Sequence, residues 1–182
     1  MENNDVLRRF RYALKIPDTT MINIFKIAEC QIDQPQLLNL LKKNEEPGYV
    51  ACSTDLLERF FDGLILYNRG KQESRDEQED YHDRDKQNQA YFQKAKGSLP
   101  REATERVAPQ DALDNNVILK KLRIALDLKQ EEMVEIFRLG ELNITKGEFT
   151  ALFRKKEHKN YKECGDQYLK KFFNGLAVRH RM

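Results

Sequence analysis

The sequence predicts an all-α protein made of two tandem four-helix repeats, related by pseudo-twofold symmetry and joined by a long polar linker. A duplication is the main reason: residues 3–69 align without a gap with residues 115–181, and about 22 of the 67 matched pairs are identical. A duplicated unit fixes the architecture before any single motif is read. Apolar residues also recur at helical spacing in both copies, whereas strand-like alternation is nearly absent. We divide the chain into repeat 1 (1–70), a charged polar linker that is flexible or partly helical (71–113), and repeat 2 (114–182).

Each repeat contains four apolar stripes with the spacing of amphipathic helices. In repeat 1 the stripes are Leu7, Phe10 and Leu14; Met21, Ile24, Phe25 and Ala28; Leu37, Leu40 and Leu41; and Leu57, Phe60, Phe61 and Leu64. In repeat 2 they are Leu119, Leu122 and Leu126; Met133, Ile136, Phe137 and Gly140; Phe149, Leu152 and Phe153; and Leu169, Phe172, Phe173 and Leu176. The two lists predict the same four helices in each copy.

The first helix of each repeat is predicted to begin at a pair of asparagines. Asn3 or Asn4 in repeat 1, and Asn115 or Asn116 in repeat 2, can accept a hydrogen bond from the free N–H groups of the first turn. We therefore expect these residues to be helix caps.

The third helices have boundary signals of their own. Asp33 followed by Pro35 is typical of a cap with an early helical proline, and Thr145 with Glu148 forms a capping-box pattern. In repeat 1 the third helix is predicted to be closed by the dipeptide at 47–48, Pro-Gly.

The predicted fourth helices each contain a glycine, Gly63 in repeat 1 and Gly175 in repeat 2. Glycine inside a helix costs about 1 kcal/mol relative to alanine. Its retention in both copies predicts close contact between helices.

Composition limits the class of protein. The 182 residues carry a net charge of +2 and are 40% hydrophobic, with a mean hydropathy of −0.78. No apolar run is long enough to cross a membrane, which takes about 18 residues, and the first residues lack the pattern of a secretory signal. We expect a cytoplasmic protein without a membrane partner.

Cysteine and histidine usage gives no sign of a disulfide framework or a metal site. The three cysteines, Cys30, Cys52 and Cys164, form an odd and sparse set that does not suit a disulfide framework. The three histidines lie far apart, and no metal-ligand spacing occurs. We predict no metal and no cofactor.

Charge is unevenly distributed between the copies. Residues 112–182 hold 15 Lys and Arg against 10 Asp and Glu, a net charge of +5, whereas residues 1–70 hold 9 against 10. The excess favours an anionic partner, although a lysine-rich helical unit of this kind also serves solubility alone.

The segment before the fourth helix is the most distinctive motif. Both copies follow the pattern K-x-E-x-x-x-Y-x-x-C, and F-F-x-G-L comes after it. The candidate interaction residues in the pattern are Lys43 and Lys155, Tyr49 and Tyr161, and Cys52 and Cys164. The tyrosines and the Lys and Glu pairs can line a polar pocket. We favour a structural role, with each tyrosine ring packed and its hydroxyl tying down the loop.

The paired thiols admit two interpretations. A cysteine near a helix N-terminus can have a lowered pKa, which would suit a nucleophile or redox group. The alternative, which we favour, is a small buried residue that packs the joint between two helices. His158 precedes Cys164, but the matching position before Cys52 is Glu46, so the copies do not share a Cys–His pair.

Arg11 and Arg123 lie among apolar residues of the first helices. A partly buried arginine is usually paired with a carboxylate. Glu29 and Glu141, also kept in both copies, are the predicted partners, and binding of an anion is the alternative.

Repeat 2 also has a superficial likeness to a helix-turn-helix unit. In that hypothesis residues 145–156 form the recognition helix, and Lys146, Arg154, Lys155 and Lys156 lie near DNA phosphates. The counterpart in repeat 1 is weaker, and the turn is longer than usual.

The residues of repeat 2 carry a family resemblance. The segments NNVILKKLRIAL and HKNYKECGDQYLKKFFNGLAVR resemble the bacterial YehS-like family, which consists of a duplicated domain of unknown function. The match covers both repeats, roughly three quarters of the chain, although repeat 1 departs from it on both sides of Cys52. The resemblance implies a small cytoplasmic bacterial protein and supplies neither an activity nor site residues.

Two observations bear on function: the motifs of common enzyme classes are missing, and only the second repeat is clearly basic. Phosphate-binding, dinucleotide-binding and serine-hydrolase motifs are missing. We expect a non-enzymatic binding or regulatory module whose partner is a protein or a nucleic acid. DNA binding through repeat 2 is the alternative, and a thiol-based enzyme or sensor is the third. The candidate site is the loop before the fourth helix of repeat 2, which includes His158 and Asn160, or the seam between the copies.

Overall fold

The computed structural model describes residues 1–73 and 113–181. Within these ranges the protein is all-helical, with eight α-helices and no strand. Repeat 1 contains α1 (Asn3–Leu14), α2 (Asp18–Ile27), α3 (Gln34–Leu40) and α4 (Thr54–Glu73). Repeat 2 contains α5 (Asn115–Ala125), α6 (Gln130–Leu139), α7 (Lys146–Leu152) and α8 (Asp166–Arg179). The predicted fold of two four-helix repeats is confirmed.

The linker prediction lies almost wholly outside the described residues. Helix α4 continues to Glu73, so the first three residues assigned to the linker are helical. At the other end Leu113 is buried, and its N–H donates to Asn3 Oδ1 at 3.3 Å.

The third helices begin as predicted. Asp33 caps α3 by accepting from Gln36 N–H, and the Gln36 side chain accepts from Asp33 N–H in return. Thr145 and Glu148 form the same reciprocal pair at the start of α7. Each pair satisfies two backbone donors that the helix leaves without a partner.

Two predicted boundaries are wrong. Helix α3 ends at Leu40, so the Pro-Gly dipeptide at 47–48 lies in the following loop, where Gly48 has a φ of +80°. The asparagine pairs do not cap the first helices, because Asn3 and Asn115 are already the first helical residues. Glu2 precedes α1 without a side-chain cap, and α5 is capped by the Asp114 side chain.

The predicted role of the helical glycines is confirmed. Helix α2 packs against α4, and α6 packs against α8. A Cβ added at Gly63 would overlap the carbonyl oxygen of Ile24, and one added at Gly175 would overlap that of Ile136. Only glycine allows these backbones to approach so closely.

The seam between the copies is reciprocal. Helix α1 packs against α8 and α4 packs against α5, as a pseudo-twofold axis requires. The buried ammonium of Lys121 pairs with Asp62 across the seam at 2.7 Å. The equivalent pair, Arg9 and Asn174, cannot form a salt bridge, and Arg9 pairs with Asp5 within its own helix at 2.8 Å. The seam is therefore symmetric in packing and asymmetric in charge.

Within the part of the chain that the structure describes, no helix is both long and apolar enough to span a membrane.

Candidate functional site

A single asparagine in each repeat holds the loop before the fourth helix, residues 41–53 (the α3–α4 loop) and 153–165 (the α7–α8 loop). Asn4 Nδ2 donates to the carbonyls of Leu40 and Val50 at 2.9 and 2.8 Å, and its Oδ1 accepts from Cys52 N–H at 2.9 Å. These bonds join the end of α3, the middle of the loop and the start of α4.

Asn116 makes the same three bonds in repeat 2. Its Nδ2 donates to the carbonyls of Leu152 and Lys162 at 2.7 and 2.9 Å, and its Oδ1 accepts from Cys164 N–H at 2.7 Å. The neighbouring Asn115 donates to the Cys164 carbonyl at 2.9 Å, as Asn3 does to that of Cys52 at 3.0 Å. We call the bonds of Asn4 and Asn116 to their loops the asparagine clamp. The repeated Asn-Asn pair is the sequence signal for it, whereas the sequence alone predicts helix caps at these positions.

The paired cysteines are buried at the end of the clamped loops. Cys52 is 6% exposed and Cys164 is 1% exposed. Desolvation by burial raises the pKa of each thiol from 9.0 to about 12. Both thiols are therefore protonated near neutral pH, which favours the packing interpretation over a nucleophile.

Tyr49 and Tyr161 are half-buried beside the clamps. The Tyr49 hydroxyl donates to Asn4 Oδ1 at 3.0 Å and so ties down its loop, whereas no matching bond from the Tyr161 hydroxyl to Asn116 occurs among the described residues. Desolvation raises the pKa of both tyrosines above the usual value.

The tips of the two loops share two backbone turns. His158 N–H donates to the Lys155 carbonyl at 2.9 Å, and Glu46 N–H donates to that of Lys43 at 2.9 Å. The next turn is also shared, since Tyr161 N–H and Tyr49 N–H donate to the carbonyls of His158 and Glu46. The two loops therefore share these turns, but their backbones differ at Gly48, which has a φ of +80°, whereas the matching Asn160 does not have a positive φ.

The side chains on these matched positions differ in charge. Residues 42–48 read KKNEEPG, with two lysines and two glutamates, whereas residues 154–160 read RKKEHKN, with four basic residues and one glutamate. We call 154–160 the basic loop. Lys155, Lys156, His158, Lys159 and Asn160 are exposed, and Arg154 is half-exposed. The tip of repeat 1 is neutral, and that of repeat 2 carries a net charge of +3.

The positive charges of the basic loop have no acidic partners among the described residues: no salt bridge joins Arg154, Lys155, Lys156 or Lys159 to a carboxylate. The nearby Glu148 is taken by Lys162 at 2.7 Å, a contact that lowers the pKa of Glu148 to about 2. In repeat 1, by contrast, Lys42 is tied back to Asn39 Oδ1 and to the Pro47 carbonyl.

Comparison with known proteins gives the family. The family model for a protein of unknown function (DUF1456) matches the chain twice, at residues 3–70 and 115–181. The chain belongs to this family. It is also 32% identical over 182 residues to the "Uncharacterized protein YehS" of Escherichia coli (strain K12), covering 100% of this chain and 98% of that protein. No solved structure matches. The predicted YehS-like resemblance is confirmed, and membership of this DUF1456 family brings no activity with it.

The predicted arginine pairs are wrong. Arg11 pairs with Asp18 at 2.6 Å rather than with Glu29. Glu29 lies just beyond the C-cap of α2 and has a φ of 57°.

Arg123 differs from its counterpart Arg11. Its guanidinium lies over the rings of Phe149 and Phe153, 5.6 and 5.2 Å from their centroids, and its Nε donates to the Leu128 carbonyl at 3.2 Å. The predicted partner Glu141 has a φ of 61° just past α6 and pairs with Lys171 at 3.0 Å. Both arginines are engaged within the fold, so neither stands ready for an anion.

The helix-turn-helix hypothesis fails in its geometry. Helix α7 has seven residues and ends at Leu152, so Arg154, Lys155 and Lys156 lie in the basic loop and not on a recognition helix. Six residues separate α6 from α7, a longer connection than the 3–4 residues of that motif. Lys146 is exposed in the first turn of α7. The basic residues are clustered as predicted from the sequence, but they lie on a loop and not on a helix.

His158 has a local partner. Its Nδ1 accepts from the N–H of Asn160 at 3.1 Å, which closes the tip of the basic loop. Across the described residues, no group of three or more His, Cys, Asp and Glu side chains has an arrangement that can hold a metal ion.

Proposed function

We propose that this chain is a non-enzymatic binding protein and that the basic loop of repeat 2 is its contact with an anionic macromolecule. One observation carries the proposal. The two loops have the same clamp and the same two turns, yet only one has a net charge of +3, with four basic residues that pair with no carboxylate among the described residues. Repeat 1 folds this unit without the charges, so the fold does not require them. Clustered exposed cations repel one another and attract polyanions.

Two features of the basic loop support binding. It is ordered before any partner arrives, because Asn116 and the two turns hold its backbone. A preorganised surface loses less conformational entropy on association. Its cations are also exposed, so a large partner can reach several of them at once.

The third prediction, a thiol-based enzyme or sensor, lacks support from the site. Thiolate is the reactive form of cysteine, and burial keeps Cys52 and Cys164 in the thiol form. His158, the histidine of this loop, accepts from Asn160 N–H through Nδ1, and its match in repeat 1 is Glu46, so the two cysteines do not share a histidine partner.

Retention on immobilised heparin, a generic polyanion, tests the proposal. The two copies supply a matched pair of variants, because Lys43 and Lys155 are the same residue, equally placed and both exposed. We expect the wild-type protein to be retained at low salt and Lys155→Glu to elute at clearly lower salt. Lys43→Glu changes the net charge by the same amount and should elute close to wild type. Equal shifts for the two variants, or no retention of the wild type, would overturn the proposal.

A further inference from the structure

We infer that the anionic partner is duplex DNA, held through its phosphate backbone without readout of base sequence. The inference rests on the proposed function of the basic loop. It goes further by choosing one polyanion and one mode of contact. Three observations lead to it: the spread of the cations, a lost counter-charge on α5, and the side chains that the surface lacks.

The cations form a patch contributed by two elements. Arg8 of α1 donates to the Lys42 carbonyl at 2.6 Å, so this helix position lies against the tip of its loop. Lys120 of α5 is the residue that matches Arg8, and it is exposed. Because the two repeats share one fold, we assign Lys120 to the same patch as the basic loop. A surface with cations on two elements can contact successive phosphates, which follow each other closely along a duplex.

A carboxylate that neutralises this position in repeat 1 is missing from repeat 2. Asp5 pairs with Arg8 at 3.2 Å and with Arg9 at 2.8 Å. The residue that matches Asp5 is Val117, and no carboxylate replaces it beside Lys120 among the described residues. The positive charge of the patch therefore comes from Lys120 of α5 as well as from the basic loop.

Helix α7 presents few groups that read or stack on bases. The exposed residues of α7 are Lys146, Gly147 and Thr150, and the Thr150 hydroxyl donates to the Lys146 carbonyl at 2.8 Å. Phe149 is buried and Phe153 lies under Arg123. Base-edge recognition needs free bidentate side chains, and single strands are held largely by stacking on aromatic rings. In the basic loop three of the four cations are lysines, which bind phosphate as point charges, and Arg154 and Asn160 are its only bidentate side chains. Phosphate contact, which is independent of sequence, is therefore the main mode of contact.

The same surface is a poor membrane anchor. The exposed large apolar residues of the described chain are Tyr12, Ile27, Leu38, Val50, Leu66 and Val178, and none is in the basic loop or on α7. Stable attachment to a bilayer takes a buried apolar or lipid group as well as basic residues.

Fluorescence anisotropy on the full chain tests the inference. The probes are two labelled duplexes of unrelated sequence, a single strand of the same length, and, as competitors, polyglutamate and vesicles containing phosphatidylserine. We expect the two duplexes to bind equally and more tightly than the single strand. With four or five phosphate contacts, log K should fall against log salt with a slope of about −4.

Single substitutions then locate the contacts. Lys155→Ala should make that slope shallower by about 0.9, the value for one phosphate contact, and Lys43→Ala should leave it unchanged. Unequal binding of the two duplexes, tighter binding of the single strand, or the same slope for Lys155→Ala would overturn the inference. Retention on heparin that depends on Lys155, without binding to either duplex, would also overturn it while leaving the proposed function intact. Loss of both kinds of binding would contradict the two together.

Discussion

The α3–α4 loop and the α7–α8 loop are two versions of one structure with different surfaces. Asn4 and Asn116 bind the same three backbone groups, and Cys52 and Cys164 are buried at the same place. Around the first loop Leu38 and Val50 are exposed, and the tip is neutral. Thr150 and Lys162 replace them in repeat 2, where the tip is basic. The clamp bonds and the buried cysteines occur in both copies because the fold needs them. The surface side chains differ between the copies, so these side chains are available for function.

The largest effect is expected at the helix crossings that both copies use. Gly175→Ala would force α6 and α8 apart, because the added Cβ overlaps the Ile136 carbonyl oxygen. We expect a loss of about 3 kcal/mol in the free energy of unfolding, measured by chemical denaturation. Gly165→Ala is the control, since no atom lies within 4 Å of a Cβ there. A stable Gly175→Ala protein would show that the crossing is looser than described.

The second largest effect is expected from loss of the asparagine clamp. Replacing Asn116 by Ala removes three hydrogen bonds and leaves the loop carbonyls and the Cys164 N–H without this partner, which should cost about 2 kcal/mol. Asn4→Ala should cost somewhat more, because Asn4 also accepts from Tyr49. The exposed Asn143 provides a control substitution. If Asn116→Ala proved as harmless as Asn143→Ala, the clamp would not hold the loop.

The helices common to both repeats were predictable from the sequence, whereas the asparagine clamp was not. The duplication and the apolar stripes gave the eight helices, and the capping boxes gave the starts of α3 and α7. The asparagine clamp was missed because its bonds join residues 36 to 48 positions apart, which no local pattern displays. A capping role requires only local contacts, so it was the simpler interpretation.

The arginine pairs failed for a related reason. Their partners were chosen because Glu29 and Glu141 are kept in both copies, but both glutamates have positive φ at helix ends. The position of the basic residues was also predicted wrongly in detail, since the stripe of repeat 2 does not show that α7 ends at Leu152. Their clustering was visible from charge alone.

The thiols should respond to pH in the same way in both copies. A folded-state pKa raised from 9.0 to about 12 gives stability that is present below pH 9 and is lost as the pH rises towards 12. At pH 10 each thiol should account for a loss of about 1 kcal/mol. Urea unfolding from pH 8 to 10.5 measures this loss. Cys164→Ala should flatten the profile, and an unchanged profile would show that the thiol is not desolvated.

The smallest expected effect is a difference in acid sensitivity between the two repeats. The contact with Lys162, together with bonds from Thr145, lowers the pKa of Glu148 from 4.5 to about 2, whereas the matching residue of repeat 1 is Gln36, which does not titrate. The stability from Glu148 is present above pH 4.5 and is lost as the pH falls from 4.5 to 2. Thermal unfolding of Glu148→Gln should be less sensitive to acid over this range than that of the wild type. Equal acid sensitivity of the two proteins would show that the contacts of Glu148 do not contribute to stability.

An exchange of the two loop tips tests the central claim most directly. One variant carries KKNEEPG in place of residues 154–160, and the other carries RKKEHKN in place of residues 42–48, with the wild-type tip kept at the other site in each. Unfolding should change little in the first variant, because the clamp asparagines and both tyrosines are untouched. The second variant places Asn at position 48, where φ is +80°, a conformation that asparagine adopts more readily than most residues. The account predicts that the first variant loses binding to duplex DNA and that the second binds more tightly than wild type. Undiminished binding by the first variant, with its fold intact, would contradict it.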